Sequence, residues 1–319
     1  MNIKTAKCFR HSISWFIKEN SALVIMLCLI LVGTIAFPQF LTVKNIFNIT
    51  GQSSFNALLA IGMTFVILTG GIDLSVGSIF AFAGVLASYL QVFSLPFIFL
   101  ICLIGCTAMG FLNGIIITKL NIAPFIVTLA TMMGYRGICY LLTDGGFTRN
   151  ISNKGFNVIS NSELFGIIPM SFIIMLIVLF IAMWGLKYTS FGRAVYAVGG
   201  NSEAAYMMGH RVQKIKILVY TISGFTAGLA GILMASRTST GNPVVGEGYE
   251  MNAISAVVLG ATLLSGGKGK VLNSVFGAIV LGTLNNLMNL QGNMSAQLQQ
   301  VILGMLLLVI VIAQSRMNK

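Results

Sequence analysis

Apolar residues in this chain neither alternate nor keep to one helical face; they run on without interruption. Between charges and turn residues lie ten apolar stretches, at 22–37, 53–69, 76–90, 95–118, 124–142, 164–186, 215–235, 251–264, 271–290 and 298–313. A helix needs about 20 apolar residues to cross a bilayer. A membrane barrel would instead alternate apolar and polar residues over strands of about 10 residues. The unbroken run at 172–185 decides for helices. The chain therefore reads as all-α, with about ten spans. The first three stretches and the eighth are short, as expected of broken or short helices beside a transport path. A basic segment, 1–20, precedes the first stretch and resembles a signal peptide. The equal runs that follow make 22–37 the first span instead.

Composition agrees. Of 319 residues, 56% are hydrophobic and 8% charged, against roughly 25% charged in soluble domains. A soluble enzyme, a nucleic-acid-binding domain and a disordered protein are excluded. The formal charge of +12 then reports loop charges, because basic residues concentrate on the cytoplasmic side of membrane proteins. With both termini inside, fourteen Lys and Arg fall in cytoplasmic segments, among them Lys119, Lys187, Arg193, Arg211, Lys214 and Lys216. Four fall outside (Lys44, Arg149, Lys154 and Arg237), and Arg136 falls within a span. This segregation supports ten spans with both ends inside, read as a single transmembrane domain over 1–319, with a cytoplasmic N-terminal segment, 1–20, and a large cytoplasmic loop, 187–214. The polar stretches 143–163 and 236–250 then face outward, the second carrying Glu247 and Glu250.

Thirty-five glycines sit largely inside the apolar runs. Gly110 with Gly114, and Gly224 with Gly228, make G-x-x-x-G pairs, and Gly231 follows. Such residues let helix backbones approach closely in lipid, either within one bundle or between two copies. Leu68-Thr69-Gly70-Gly71 and Leu264-Ser265-Gly266-Gly267 each lead into an apolar run and hint at an internal duplication. Cys28, Cys102, Cys106 and Cys139 lie in apolar runs and read as small buried hydrophobes. His11 and His210 are cytoplasmic, so no metal site is expected.

Two segments carry chemistry. In Gly70-Gly71-Ile72-Asp73-Leu74-Ser75-Val76-Gly77-Ser78, polar side chains and glycines interrupt two apolar runs. A carboxylate at membrane depth needs a partner or water. Asp73 and Ser75 fit an N-cap opening the next helix, and equally a polar path, since a half-helix N-terminus offers N–H groups to a polyol. In the cytoplasmic loop, Glu203, Ala204, Ala205 and Gly209, flanked by Arg193 and Arg211, fit a short amphipathic helix ended by glycine. Such a helix suits a partner's groove.

The chain resembles the permease subunits of bacterial ribose-type sugar ABC importers. The resemblance rests on 62–78, on Phe191-Gly192-Arg193 with Gly199-Gly200-Asn201, on 203–209, on Gly248-Tyr249-Glu250 leading to 256–260 and Gly266-Gly267-Lys268-Gly269, and on Leu284-Asn285-Asn286. It runs from about residue 20 to 315. Two departures stand out: Tyr206-Met207-Met208-Gly209-His210, where relatives carry leucine-like or serine residues, and Ala261, where they tend to have glycine.

The resemblance implies a passive pathway formed by two permease subunits, a homodimer by expectation, in the bacterial inner membrane. An ATP-binding subunit pair would dock on the cytoplasmic loops and hold ATP and Mg; an extracytoplasmic sugar-binding protein would deliver the substrate. This chain, lacking a G-x-x-x-x-G-K-[ST] loop, would need no cofactor of its own and would not be an enzyme. Glu203–Gly209 would be the coupling helix, with Glu203, Ala204, Ala205, Gly209 and Arg193 as coupling residues. A neutral sugar wants donors and acceptors, which Asp73, Ser75, Thr64, Asn113, Asn285 and Asn286 supply in or near spans; Asn289 and Thr128 are of the same kind. Arg136 has two readings, pairing or snorkelling within the bundle and contact with substrate. Arg149 and Arg237 are candidates for docking an acidic patch on the binding protein. Rival readings are a permease for another small neutral solute, such as a polyol or furanosyl signalling molecule, a stand-alone secondary carrier, which would want paired intramembrane acids and bases, and a membrane enzyme, which would want a catalytic cluster.

Overall fold

A computed structural model describes residues 21–292, together with 295, 297–302, 304, 305, 308 and 312. Segment 1–20 lies outside the described residues, and the tenth predicted stretch is described only in part. Twelve helices are described through residue 292: α1 (Ser21–Ala36), α2 (Val43–Leu68), α3 (Val76–Tyr89), α4 (Leu95–Lys119), α5 (Pro124–Leu142), α6 (Lys154–Asn161), α7 (Met170–Tyr188), α8 (Ser190–Gly200), α9 (Ser202–Met207), α10 (Val212–Thr238), α11 (Tyr249–Leu259) and α12 (Val271–Leu290). Four two-residue strands, β1 (Arg149–Asn150), β2 (Glu163–Leu164), β3 (Ile168–Pro169) and β4 (Thr240–Gly241), make two small antiparallel pairs, β1 with β4 and β2 with β3. Six helices (α2, α4, α5, α7, α10 and α12) are long and apolar enough to cross a membrane, and α1 and α3 are shorter apolar helices.

Helix α2 is the axis of the bundle. It starts ten residues before the predicted stretch, and Leu58, Ile61, Met63 and Ile67 on it are wholly buried. It is packed by α10, α12, α11 and α7. Helices α4, α5 and α7 close the outside and keep bare apolar faces, with Ile104, Met133, Phe180 and Trp184 all exposed. Lipid tails cover such faces at no cost, whereas water does not. Helix ends follow ordinary chemistry. Asn153, Thr189 and Asn201 cap α6, α8 and α9 by accepting from the N–H of Phe156, Gly192 and Glu203. Prolines open α4 and α5, where the missing N–H is no loss.

The glycine pairs pack within the chain. A Cβ added to Gly224 would lie 2.5 Å from the Cys106 carbonyl oxygen and 2.9 Å from Gly110 Cα. Gly114 meets Ile217 in the same way, Gly228 meets Cys106, and Gly231 lies on the Phe80 carbonyl. So α10 crosses α4 and α3 with backbones touching. Of the two uses foreseen for these glycines, the intramolecular one is present.

Three predicted stretches are revised. Stretch 164–186 begins as the β2–β3 hairpin and becomes helical only at Met170. Polar segment 187–214 is mostly helix, as α8 and α9. Stretch 251–264 is helical only as α11, eleven residues ending at Leu259. At 1.5 Å per residue α11 is about 16 Å long, half of a hydrocarbon core of about 30 Å. It ends because Gly260 lies against the backbone of Asn273 and Ser274, and because Ala261 takes a left-handed φ of 59°. That conformation costs an L-residue about 1 kcal/mol, which explains why glycine suits position 261. Ala261→Gly is expected to leave the detergent melting temperature unchanged or raise it slightly. A clear loss of stability would contradict the strain reading.

Candidate functional site: two helix breaks and a projecting knob

The first break separates α2 from α3. Past Leu68 the chain turns at Gly70 (φ 76°) and runs irregularly to Ser75. Asp73, fully buried, accepts hydrogen bonds from the Ser75 N–H (3.0 Å), the Ser75 hydroxyl (2.6 Å) and the Ser223 hydroxyl (2.8 Å). Asn113 of α4 donates to Ser75 Oγ at 2.8 Å, and Tyr135 of α5 donates within 3.1 Å to Asn113 Oδ1 and the Met109 carbonyl. Tyr220 and Thr128 both donate to the Ile72 carbonyl at 3.3 Å. The carboxylate thus ties the break to α10, and the Ser75 hydroxyl and Ile72 carbonyl tie it to α4 and α5. Ser223 lies near the middle of α10, so the break sits at mid-depth in the bundle. Buried irregular backbone is tolerated there because neighbouring side chains satisfy it.

The foreseen path residues separate into three places. Asp73, Ser75 and Asn113 meet in the network just described. Thr64 lies one helix turn before the break and bonds to the Ala60 carbonyl and to Ser274 Oγ at 2.9 Å. Asn286 lies near the far end of α12 and exchanges two amide hydrogen bonds with Asn45 (3.1 and 2.8 Å), next to the half-buried Asn285. Ser223, Tyr135, Tyr220 and Asn45 escaped the sequence reading. Ser223 had a signal, since it immediately precedes Gly224 of the helix crossing. The others had none, because an isolated Tyr or Asn in a span looks the same whether or not it meets a partner.

The second break precedes α11. From β4 the chain runs down α3: Gly241 lies against Gly84 and Ser88, and Gly246 lies against Gly77. Arg136 holds this segment by donating to the carbonyls of Pro243 and Val245 (2.9 Å for the latter). Of its two readings, pairing within the bundle is what the structure contains. Tyr249 packs on Phe80 at 5.1 Å. The Glu250 carboxylate accepts from the Gly248 N–H at 3.2 Å and lies beside Gly77 in the first turn of α3, where a helix N-terminus favours negative charge. Glu250, which the amino-acid sequence places in an outward polar stretch, therefore lies beside the start of α3. Both half helices start at this level.

At the end of the bundle where α2 finishes, α8 and α9 project. Asn201 Oδ1 accepts from the N–H groups of Glu203 and Ala204 (both 3.0 Å), and Gly209 (φ 85°) ends the turn. Ala205 is buried and anchors α9. Glu203, Ala204, Tyr206, Met207 and Met208 are exposed, Met207 at 85%, and Arg193 on α8 is exposed too. The predicted coupling residues thus form one knob with a bare apolar tip.

The opposite end holds a recess of about 800 Å³ between the start of α2, α6, the β2–β3 hairpin and the end of α10, lined in part by Lys44, Asn48, Glu163 and Arg237. Arg237 donates to Asn48 Oδ1 (3.4 Å) and stands 5.8 Å from the Phe55 ring centre. Arg149, opposite Gly241 in the β1–β4 pair, stacks on the Tyr89 ring at 3.9 Å. Both arginines are brought to the same end. Among the described residues no group of three or more His, Cys, Asp or Glu could hold a metal ion.

Residues 45–311 match the family described as branched-chain amino acid transport system / permease component. The chain belongs to this family. It is a transport-system permease component and a multi-pass membrane protein, not an enzyme. It is 42% identical over 309 residues to the ribose import permease protein RbsC of Haemophilus influenzae, covering 94% of each chain. It is 42% identical over 288 residues to RbsC of Bacillus subtilis, covering 89% of this chain and 88% of that one. It is 37% identical to the L-arabinose transport system permease protein AraH of Escherichia coli, covering 92% and 89%. No solved structure matches. In this permease the two breaks and the knob are the parts that a pathway and a partner can use.

Proposed function

We propose that this chain is the transmembrane permease subunit of an ABC importer for a monosaccharide, a ribose-type pentose or similar simple sugar. The observation that carries this reading is 42% identity to ribose import permeases across nearly the whole of both chains. The substrate path follows the two breaks, with Asp73, Ser75 and Asn113 bordering the first and Thr64, Asn285 and Asn286 along α2 and α12. Ten crossings, the eighth made by the irregular segment after β4 together with α11, place both termini in the cytoplasm of a bacterium, in its inner membrane, and 1–319 acts as one domain. Two copies form the pore. An ATPase pair docks on α9 and holds ATP and Mg; this chain needs no cofactor. The mechanism is alternating access: closure of the ATPases displaces α9, and that displacement reaches the breaks.

The test of this reading is co-purification from the native membrane. A stoichiometric ATP-hydrolysing partner should come down, and Glu203→Lys, an exposed reversal that leaves the fold intact, should release it. A chain that purifies alone and moves ribose into liposomes without ATP would instead be a secondary carrier.

A binding protein docks at the opposite end, where Arg149 and Arg237 supply positive charge. Charge reversal at either should raise the KM for uptake several-fold with little change in maximal rate, since rim charges act mainly on encounter. An unchanged KM for both variants would remove the docking role.

A further inference from the structure

The two Leu-x-Gly-Gly segments lie in contact, and the end of α8, which leads into α9, is seated on both. The Gly267 N–H donates to the Leu68 carbonyl at 3.0 Å. A Cβ on Gly266 would lie 2.8 Å from Gly70 N and 2.9 Å from the Gly199 carbonyl oxygen, and one on Gly267 would lie 2.9 Å from Gly200 N. A Cβ on Gly199 would overlap the Leu68 carbonyl oxygen outright. Gly266 (φ 89°) and Gly267 (φ 75°) also need the left-handed backbone that glycine adopts without strain. Two side chains of α8 brace the same contact: Tyr196 donates to the Gly269 carbonyl at 2.9 Å, and Phe191 stacks on Phe65 of α2 at 6.2 Å.

Three chain segments therefore meet backbone to backbone. One leads into α9, one into the break that holds Asp73, and one joins α11 to α12. Side-chain contacts can yield by changing rotamer, but touching backbones cannot, so displacement of one segment must carry the others. We propose that Gly70, Gly199, Gly266 and Gly267 form a rigid transmission junction, which makes a push on α9 move both helix breaks together. These glycines are positioning residues; they touch neither nucleotide nor sugar. The inference rests on the reading of α9 as the ATPase dock.

The experiment uses the full complex in proteoliposomes, with ribose uptake and ATP hydrolysis measured on the same vesicles. Gly200→Ala is the control, because a Cβ there meets nothing within 4 Å. It should keep the wild-type ratio of uptake to hydrolysis. Gly199→Ala should retain the bound ATPase and its basal hydrolysis while uptake per ATP falls by about tenfold, in the range of coupling between sites. An unchanged ratio with the ATPase bound would overturn the junction; an ATPase that stays bound to the Glu203→Lys variant would instead overturn the docking reading. If Gly199→Ala fails to assemble, spin labels decide. The Ser202–Ser265 distance should stay constant between nucleotide-free and ATP-trapped states while the Ser202–Leu120 distance changes. A Ser202–Ser265 distance that changes equally would overturn the proposal.

Discussion

Gly224→Val is expected to abolish stable folding, or to cost at least about 3 kcal/mol, at the upper end of overpacking penalties. The neighbours at this site are the Cys106 carbonyl and Gly110 Cα, both backbone, so no rotamer change relieves the clash. Separating α4 from α10 to make room would also pull apart Asn113 and Ser223, which stand on these two helices and bind the first break. The loss should therefore show as low yield and early melting in detergent. Gly185→Val is the comparison: it is also a glycine in an apolar helix, but its added Cβ meets nothing within 4 Å. That variant should melt close to wild type. Equal melting of the two variants would mean that the α4–α10 crossing is not the close contact described.

The second large effect is expected at Asp73. Asp73→Ala removes the acceptor for three neutral donors in a fully buried site. Each stranded donor costs about 1–3 kcal/mol, so a total near 3 kcal/mol follows even after partial relaxation. Asp73→Asn restores one oxygen but brings an NH₂ group against hydroxyls already oriented as donors, and should fall between wild type and alanine. The order wild type, Asn, Ala should appear both in melting temperature and in sugar uptake. If Asp73→Ala melts as wild type, the network is not what holds the break. If it melts early while uptake per folded molecule is unchanged, Asp73 braces the break without shaping the path.

These two sites differ in how far they could be read beforehand. The glycine spacing of Gly110/Gly114 and Gly224/Gly228 is visible in the amino-acid order, because in lipid only small residues let helices approach closely. Which helices they would join was not visible. Asp73 stood out as a carboxylate between apolar runs, and polar burial demands partners. Its distant partner, Ser223, lies 150 residues away, and nothing local to Asp73 points to it. Arg136 shows the same limit. Its position within a span demanded satisfaction, but backbone carbonyls at Pro243 and Val245 leave no trace in residue identity. The 251–264 stretch misled for a related reason: apolar composition does not tell helix from turn, and the apolar turn at 260–264 counts as much toward a span as a helix does.

By itself the amino-acid sequence determined the membrane class, the all-helical build, the positions of most long helices and the site of the capped α9 knob. Each follows from local physics. Lipid forbids unsatisfied backbone, so long apolar runs must be helical, and Asn201 and Gly209 start and stop a helix through their own conformations. Only the tertiary structure decided that α11 is half a span, that Glu250 lies beside the start of α3, that the network around Asp73 joins the first break to α10, α4 and α5, and that the two Leu-x-Gly-Gly turns touch beneath α9. These depend on which distant segments meet. That outcome is set by the packing of the whole bundle around α2, where each contact is possible only once the others are in place.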